Sequence, residues 1–509
     1  MSQPEKKVPV PVPPVLLEAQ RHLDNQEWDK AWMTAERVIE ENPHHVPTLV
    51  LMAFTAHKAK RYHIGYMFGR HAVELAPTNA LAWINLGINA HEMWMRNEAV
   101  ECFQKGGKFA LNKNDKLVAA MAFMNLAAIH LDFGEYKPAE EAARKALELD
   151  PYNPMAKANL GFAMLGQGNW DGWEFYSWSL GLAHRQKQVF GEEPEWNGAP
   201  EKTVVLYGEQ GLGDEISFAS MLPDAARASK KVIFSCHKKV EGLFRRSFAH
   251  LPNVKVYGTR NAKAGDGVMW DEEDRQFDAS AALGELGKFF RRSDESFDGK
   301  PYLTADPDRQ IMWRALFYKI RMEQQKPVIG ISWTGGLSHT GAKLRSMTLE
   351  KLTPILRGFK AHWVCLQYKD ASDEIAAFRK KNPDVDLVQY PTATLTPDYD
   401  DTAAMVTELD LVISVQTAIV HLCGGLGQEC WVLLPKISQW RYGDSGSTTR
   451  WYESVRLFRQ SQVDEWVQPM GNLAQALVEK FTKPRIITPE PKSVTVGVKG
   501  VTASGAVQL

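Results

Sequence analysis

A period of 34 residues runs through the first third of this 509-residue chain. Pro43, Pro77 and Leu111 stand 34 positions apart, and Pro151 follows after 40, as if six residues were inserted near "NKNDKL". Within each period small residues recur where two helices must approach closely. In "LAWINLGINAHEMWMRNEAVECFQKG" these are Gly87, Ala90 and Ala99, with Trp83, Leu86 and Phe103 as the larger side chains. A later unit carries Ala127, Gly134, Tyr136, Ala139 and Ala146. Units start near residues 12, 46, 80 and 120, and a partial fifth begins at "PMAKANLGFAMLGQGNWDGW". One such helix pair cannot bury its own apolar face, so the units must stack into a solenoid with a concave side left for a partner.

The period and its small/large alternation resemble the tetratricopeptide repeat (TPR), a stacked helix–turn–helix. The resemblance implies a protein partner on the concave face and no chemistry in the repeats themselves. His44, His45, His57, His63 and His71 lie here but share no metal-ligand spacing, so they read as surface or packing histidines. "PVPVPP" ahead of the repeats reads as an extended lead-in over 1–14.

Bulk properties narrow the field. Sixty basic against sixty-one acidic residues leave a net charge of −1, so no overall field favours nucleic acid or an anionic membrane. No apolar run reaches the ~18 residues of a membrane span. The opening "MSQPEKKVPVPVPPVLLEAQ" is broken by prolines and does not read as a secretory signal. Five cysteines, at 102, 236, 365, 423 and 430, form no CxxC pair, which points to a reducing cytoplasm rather than a zinc or disulfide framework.

After the helical repeats of 15–185 the pattern changes. "KTVVLYG", "KKVIFSCH" and "NVKVYG" read as strands, separated by "DEISFASMLPDAARAS" and "VEGLFRRSFAHL" at helical spacing. A second series opens at "KPVIGISWTGG" and continues through "HWVCLQY", "DLVISVQ" and "ECWVLLP". Strands alternating with helices imply wound parallel sheets, one over 186–325 and one over 326–483. Such folds bind ligands at strand carboxyl ends, so a cleft is expected between them. The segment 484–509 reads as an edge strand or a free tail.

Eight segments in order carry a second resemblance: "GWEFYSWS", "GEQGLGDEISFASMLP", "ISWTGG", "LRSMTL", "LQY", "DTAAMVTELDLVISVQTAIVHLCGGLG", "WVLLP" and "WYESVRLFRQ". From about Gly172 to Trp466 the chain is similar to bacterial TPR proteins whose C-terminal half is related to the ADP-heptose:lipopolysaccharide heptosyltransferases. The architecture is also similar, as TPR plus GT-B, to protein O-GlcNAc transferase. The fold this implies is α + α/β: a TPR α-solenoid followed by a two-domain GT-B (twin Rossmann-like) transferase, inverting and without a metal or other cofactor.

The residues can be weighed beside that resemblance. Asp214, in "GLGDEIS" with Gly211 and Gly213, reads by position alone as a helix cap. The resemblance makes it the catalytic base, a role open to it only if one carboxylate oxygen stays free. A donor diphosphate needs positive charge and free N–H groups, which the Thr334–Gly335–Gly336 turn and the helix opened by Thr417 supply. Arg345 stands where the related enzymes carry a phosphate-contacting lysine, and Lys343 is two residues away; on residue type alone, a solvated pair reads equally well. Gln367 of "LQY" joins the donor set by resemblance. His421 follows Thr417 by four residues and is expected near the donor as a catalytic residue by resemblance, or as a core histidine under Trp431. Gln416 departs from the family pattern, which has aspartate there, and cannot carry charge. Asp398 and Asp400 match a DxD metal motif but precede a helix, where acids serve as caps.

The expectation is a cytoplasmic enzyme moving a sugar from a nucleotide-diphosphate sugar to a hydroxyl of a protein or glycan brought by the repeats. Two alternatives remain: a TPR binding protein with a degenerate transferase-like half, and an enzyme that modifies the nucleotide-sugar itself.

Overall fold

The computed structural model describes residues 14–182, 185–260, 270–336 and 345–482. Lys343, nearly all of the expected lead-in and the expected tail lie outside the described residues.

Four antiparallel helix pairs open the chain: α1 (Pro14–Asp24) with α2 (Trp28–Glu41), α3 (Val46–Lys58) with α4 (Tyr62–Leu75), α5 (Ala80–Glu92) with α6 (Arg96–Asn112), and α7 (Lys116–Asp132) with α8 (Tyr136–Leu149). A fifth begins with α9 (Pro154–Gly166) and closes on the short α10 (Gly172–Tyr176). The turns inside the five units place Gln26, Lys60, Trp94, Gly134 and Gly168 in the left-handed region, at steps of 34, 34, 40 and 34. The six extra residues do not form a loop. They lengthen α6 and α7 to 17 residues each, against 13 and 14 in α3 and α4. Ala90, Ala99, Phe103, Ala127 and Ala143 meet in one buried layer, which is why the small residues recur.

The histidines do have a pattern, although no metal-ligand spacing. His22, His57, His91 and His130 end the first helices of successive units. His22 meets Glu27 at 2.6 Å and His130 meets Glu135 at 2.6 Å, each at the following turn. His57 reaches Glu92 at 3.5 Å and His91 reaches Asp132 at 2.8 Å, each in the next unit. Among the described residues no helix is long and apolar enough to cross a membrane.

Two parallel sheets follow. The first has β1 (Thr203–Tyr207), β2 (Lys231–His237), β3 (Val254–Arg260) and β4 (Ala279–Ala282) in the order β3-β2-β1-β4. The second has β5 (Val328–Ser332), β6 (His362–Cys365), β7 (Leu387–Gln389), β8 (Leu411–Val415), β9 (Cys430–Leu434), β10 (Thr448–Thr449) and β11 (Tyr452–Arg459). Its order is β10-β11-β9-β8-β5-β6-β7, with only β10 antiparallel. Counted from its own first strand, the parallel part runs 3-2-1-4-5-6, the doubly wound order that binds dinucleotides where the winding reverses. In the first sheet the reversal lies between β1 and β4, and in the second between β5 and β8.

The helix Pro307–Gln324, inside the span 186–325 expected for the first wound unit, is tied to the second instead. Arg309 pairs with Asp398 and Asp401, Arg314 with Glu408, and Arg321 with Asp410. The last helix, Val467–Thr482, finishes the second unit: Leu473, Ala476 and Leu477 join the core of Ile331, Trp363 and Trp431.

The repeats are joined to both sheets. Tyr136 donates to Ser438 O at 3.0 Å, Trp170 to Asp294 at 2.8 Å, and Trp173 to Arg291 O at 2.9 Å. Trp173, Tyr176, Phe218, Trp440 and Trp451 interlock edge to face at 5.4–6.3 Å. One continuous core therefore runs from the last repeat through both wound units.

Candidate functional site

The loop after β1 turns into the helix Leu212–Ala219, whose N-cap is Gly211. Each polar side chain of that loop is already occupied. Glu209 accepts from Arg185 Nε at 3.2 Å and Nη2 at 3.1 Å, and Arg185 also meets Glu285 at 2.7 Å, Tyr176 O at 3.0 Å and Ser179 Oγ at 3.1 Å. Arg185 and Glu209 are 1% and 2% exposed, so an arginine from the end of the repeats fills the winding reversal of the first sheet. Gln210 donates to the Tyr176 hydroxyl at 2.7 Å. Glu215 accepts from His237 N–H at 2.6 Å and pairs closely with Arg260. Burial pushes the Glu215 carboxyl up to about 7 against the pull of Arg260.

Asp214 is the third helical residue, not the cap itself. Its Oδ2 accepts from Gly211 N–H at 3.2 Å, and its Oδ1 lies 2.7 Å from Arg441 Nη2. The oxygen required to be free is thus held by an arginine, which corrects the expectation of an unencumbered carboxylate. The expected open gap needs a second correction. The helix Leu212–Ala219 lies directly on the helix Ala418–Leu426, and a Cβ on Gly213 would come within 3.0 Å of His421 and 3.1 Å of Ala418 Cα. The glycine is there because two helices from different units touch at that point.

The second winding reversal gathers most of the expected donor set. Thr417 caps the helix Ala418–Leu426 by accepting from Ile419 N–H at 3.2 Å. A Cβ on Gly335 would meet Thr417 Cγ2 at 2.6 Å and Gln416 O at 2.7 Å, so the Thr334–Gly335–Gly336 turn sits against the helix start. Gly336 has φ +80, a left-handed conformation that favours glycine. Gln367 is buried beneath the turn, with Oε1 accepting from Ser332 Oγ at 2.7 Å and Nε2 donating to Thr334. It braces the turn rather than facing a ligand. Ser346 supports it from the other side, accepting from Gly335 N–H at 3.1 Å.

Arg345 is partly buried beside Asp214, Tyr442 and Arg441; burial lowers its guanidinium and Asp214 pulls it back up. Gln416 is buried, and its Oε1 accepts from Gln439 N–H at 3.2 Å while Nε2 has no hydrogen-bond partner among the described residues. His421 is buried against Tyr442 and Tyr452, with Nδ1 3.2 Å from the Tyr452 hydroxyl; Trp431 belongs to the other core. Burial drives its imidazole down to about 3, helped by Arg441, so it is neutral near pH 7.

Arg441 was not among the candidates picked from sequence, although "QWRYGDSGSTTRWYESVRLFRQ" is conspicuously rich in arginine and aromatic residues. Its guanidinium lies over Phe218 at 4.6 Å and Trp440 at 4.8 Å. Asp398 and Asp400 of the DxD match are engaged by Arg309 and Arg246. The other acidic cluster among the described residues, Asp271, Glu273 and Asp274, is crossed by Lys231 and Lys255. What the second reversal offers is therefore a helix N-terminus, a glycine turn and two guanidinium groups, opposite one carboxylate.

No protein-family model matches the chain. Protein FlbA of Caulobacter vibrioides is 31% identical over 379 residues, covering 70% of this chain. The chain spans 61% of the length of that relative. Among solved structures, MamA is 22% identical and covers 33% of this chain and 88% of its own, with a TM-score of 0.28. A TPR protein of Thermus thermophilus is 18% identical, covering 33% and 90%, with a TM-score of 0.29. PilF of Pseudomonas aeruginosa is 14% identical, covering 42% and 86%, with a TM-score of 0.32.

Proposed function

We propose that the chain is a glycosyltransferase of the GT-B type, related to the heptosyltransferases, which moves a sugar from a nucleotide-diphosphate sugar to a hydroxyl on a protein or glycan acceptor held by the helical repeats. The observation that carries the reading is that Arg441 and Arg345 gather at Asp214, where the helix Leu212–Ala219 packs on the helix opened by Thr417, whose start is backed by the Thr334–Gly336 turn at the reversal of a 3-2-1-4-5-6 sheet. The donor's diphosphate carries about two negative charges and gains one more as it leaves with the bonding electron pair, and helix starts and guanidinium forks are the groups that stabilise it. In the transfer the acceptor O–H proton passes to Asp214 as its oxygen bonds to the anomeric carbon. The bond from that carbon to the diphosphate breaks, and its electron pair leaves with the nucleotide. His421, being neutral, contributes shape and hydrogen bonding rather than charge.

The test is a thermal shift of the full chain against nucleoside diphosphates and nucleotide-sugars. A ligand at about 100 times its Kd adds about 2.7 kcal/mol to the folded state. No shift with any of them defeats the reading. With a ligand in hand, Asp214→Asn should abolish transfer while preserving binding.

A second reading is a binding protein with a transferase-like half that does no chemistry. It is favoured by the engagement of both Asp214 oxygens and by the filling of the first sheet's crevice by Arg185. It predicts nucleotide binding without turnover of any nucleotide-sugar.

A further inference from the structure

Arg441 presents an unusual edge. Its Nε and Nη2 atoms form one of the two forks with which a guanidinium grips a pair of oxygens. Both are buried, and neither has an aligned hydrogen-bond acceptor among the described residues. Nη2 lies 2.7 Å from Asp214 Oδ1, so that contact is an ion pair set off the N–H direction rather than a hydrogen bond. Nearby, Gln416 Nε2 is a second buried donor without an acceptor, on a side chain held to the same 439–442 turn through Gln439. A buried donor left unmatched costs about 1–3 kcal/mol, more when charged. Arg441 Nε and Gln416 Nε2, donors without an acceptor on two residues, fit an acceptor-rich anion, with Arg345 beside Arg441.

We propose, resting on the transferase reading above, that Arg441 is a diphosphate-binding residue and that the Arg441–Asp214 ion pair is a latch. The donor's diphosphate takes the Nε–Nη2 edge, the guanidinium leaves the carboxylate, and Asp214 Oδ1 becomes available to the acceptor hydroxyl. The base is masked until the donor is seated, which keeps the carboxylate neutralised while the site holds no donor. Asp214 Oδ2 stays on Gly211 N–H throughout, so the helix start is not disturbed. No bond is made or broken in the latch itself; one charge partner replaces another.

The latch makes a distinctive forecast, because Asp214 and the anion compete for one arginine. Calorimetric titration of the full chain with inorganic pyrophosphate reads it directly. Asp214→Asn, which keeps an oxygen for Gly211, should tighten pyrophosphate binding about tenfold, within the range of close charge pairs. The gain should vanish in the Asp214→Asn/Arg441→Met double variant, and Arg441→Lys, which keeps a charge but no fork, should reduce it. No gain in Asp214→Asn, including no binding at all, overturns the latch. So does a gain that persists without Arg441, since that would be general relief of negative charge. A parallel titration of the wild type with nucleoside diphosphates separates the two proposals. Nucleotide binding without the Asp214→Asn gain leaves the transferase reading standing and removes the latch, whereas the pyrophosphate gain without nucleotide binding removes the transferase reading, and the latch over a catalytic base with it, and leaves only an Arg441 that exchanges Asp214 for a diphosphate.

Discussion

Arg185→Met removes the arginine that joins the last repeat to the first wound unit. Five hydrogen bonds go with it: two to Glu209 and one each to Glu285, Tyr176 O and Ser179. The two glutamates are not left equal. Glu285 keeps Lys288 at 2.6 Å and Ser177 at 2.6 Å, but Glu209 keeps only Gly284 N–H at 3.2 Å and the Gln210 amide at 3.0 Å. A buried charge stripped of its partner costs about 3–5 kcal/mol. The penalty in the variant should fall in that range, because Glu209 is 2% exposed and loses both of its bonds to a cation. Hydrogen exchange of the segments 203–215 and 279–290 reads this locally, with acceleration of two to three factors of ten at about 1.4 kcal/mol each. Adding Glu209→Gln to Arg185→Met should restore most of the protection. Exchange within threefold of wild type would refute the reasoning, as would a failure of Glu209→Gln to restore protection.

Three further outcomes follow from particular contacts. Gly335→Ala puts a methyl 2.6 Å from Thr417 and 2.7 Å from Gln416 O, which should cost about 1–3 kcal/mol in a urea melt and weaken nucleoside diphosphate binding with it. His421 should make stability fall with acid: its folded value of about 3 lies below the ~6.5 of the unfolded chain, so the contribution is full above ~6.5 and is lost as the unfolded chain protonates below it. Glu215, raised to about 7, has the opposite sign between pH 7 and ~4.5, so the proper comparison is wild type against His421→Gln. Between pH 7 and 5.5 the wild type should lose about 1 kcal/mol more than the variant, and equal losses would place His421 in solvent. Lys60→Gly should stabilise the repeats by about 1 kcal/mol, because Lys60 sits at φ 58 where the units turning at Gly134 and Gly168 have glycine, and an unchanged melt would contradict the turn geometry.

The repeats were legible because their signal is local: small residues at fixed offsets dictate helix contact, and the period carries the stacking. Strands with β-branched runs, such as Thr203–Tyr207 and Leu411–Val415, could be read directly. Ala279–Ala282 could not, since "ASAA" has no strand preference and pairs only because β1 offers it an edge. Tyr452–Arg459 was noticed as a motif but not as a strand. At the site, Gly213, Gly335 and Thr417 were found, yet what they touch was not: the residues they meet lie up to some 200 positions away in the chain. Arg185 and Arg441 escaped for the same reason. An arginine in a loop has no sequence mark of the carboxylate it reaches, and burial of its charge is decided entirely by tertiary packing.

The central claim is that the reversal of the second sheet is a diphosphate site built on Arg441 and Arg345. It is tested most directly by calorimetric titration of the full chain with nucleoside diphosphates, repeated on Arg441→Met. Saturable binding by the wild type, weakened at least tenfold in the variant, is the predicted result. Absence of binding, or equal binding by both proteins, would contradict the account.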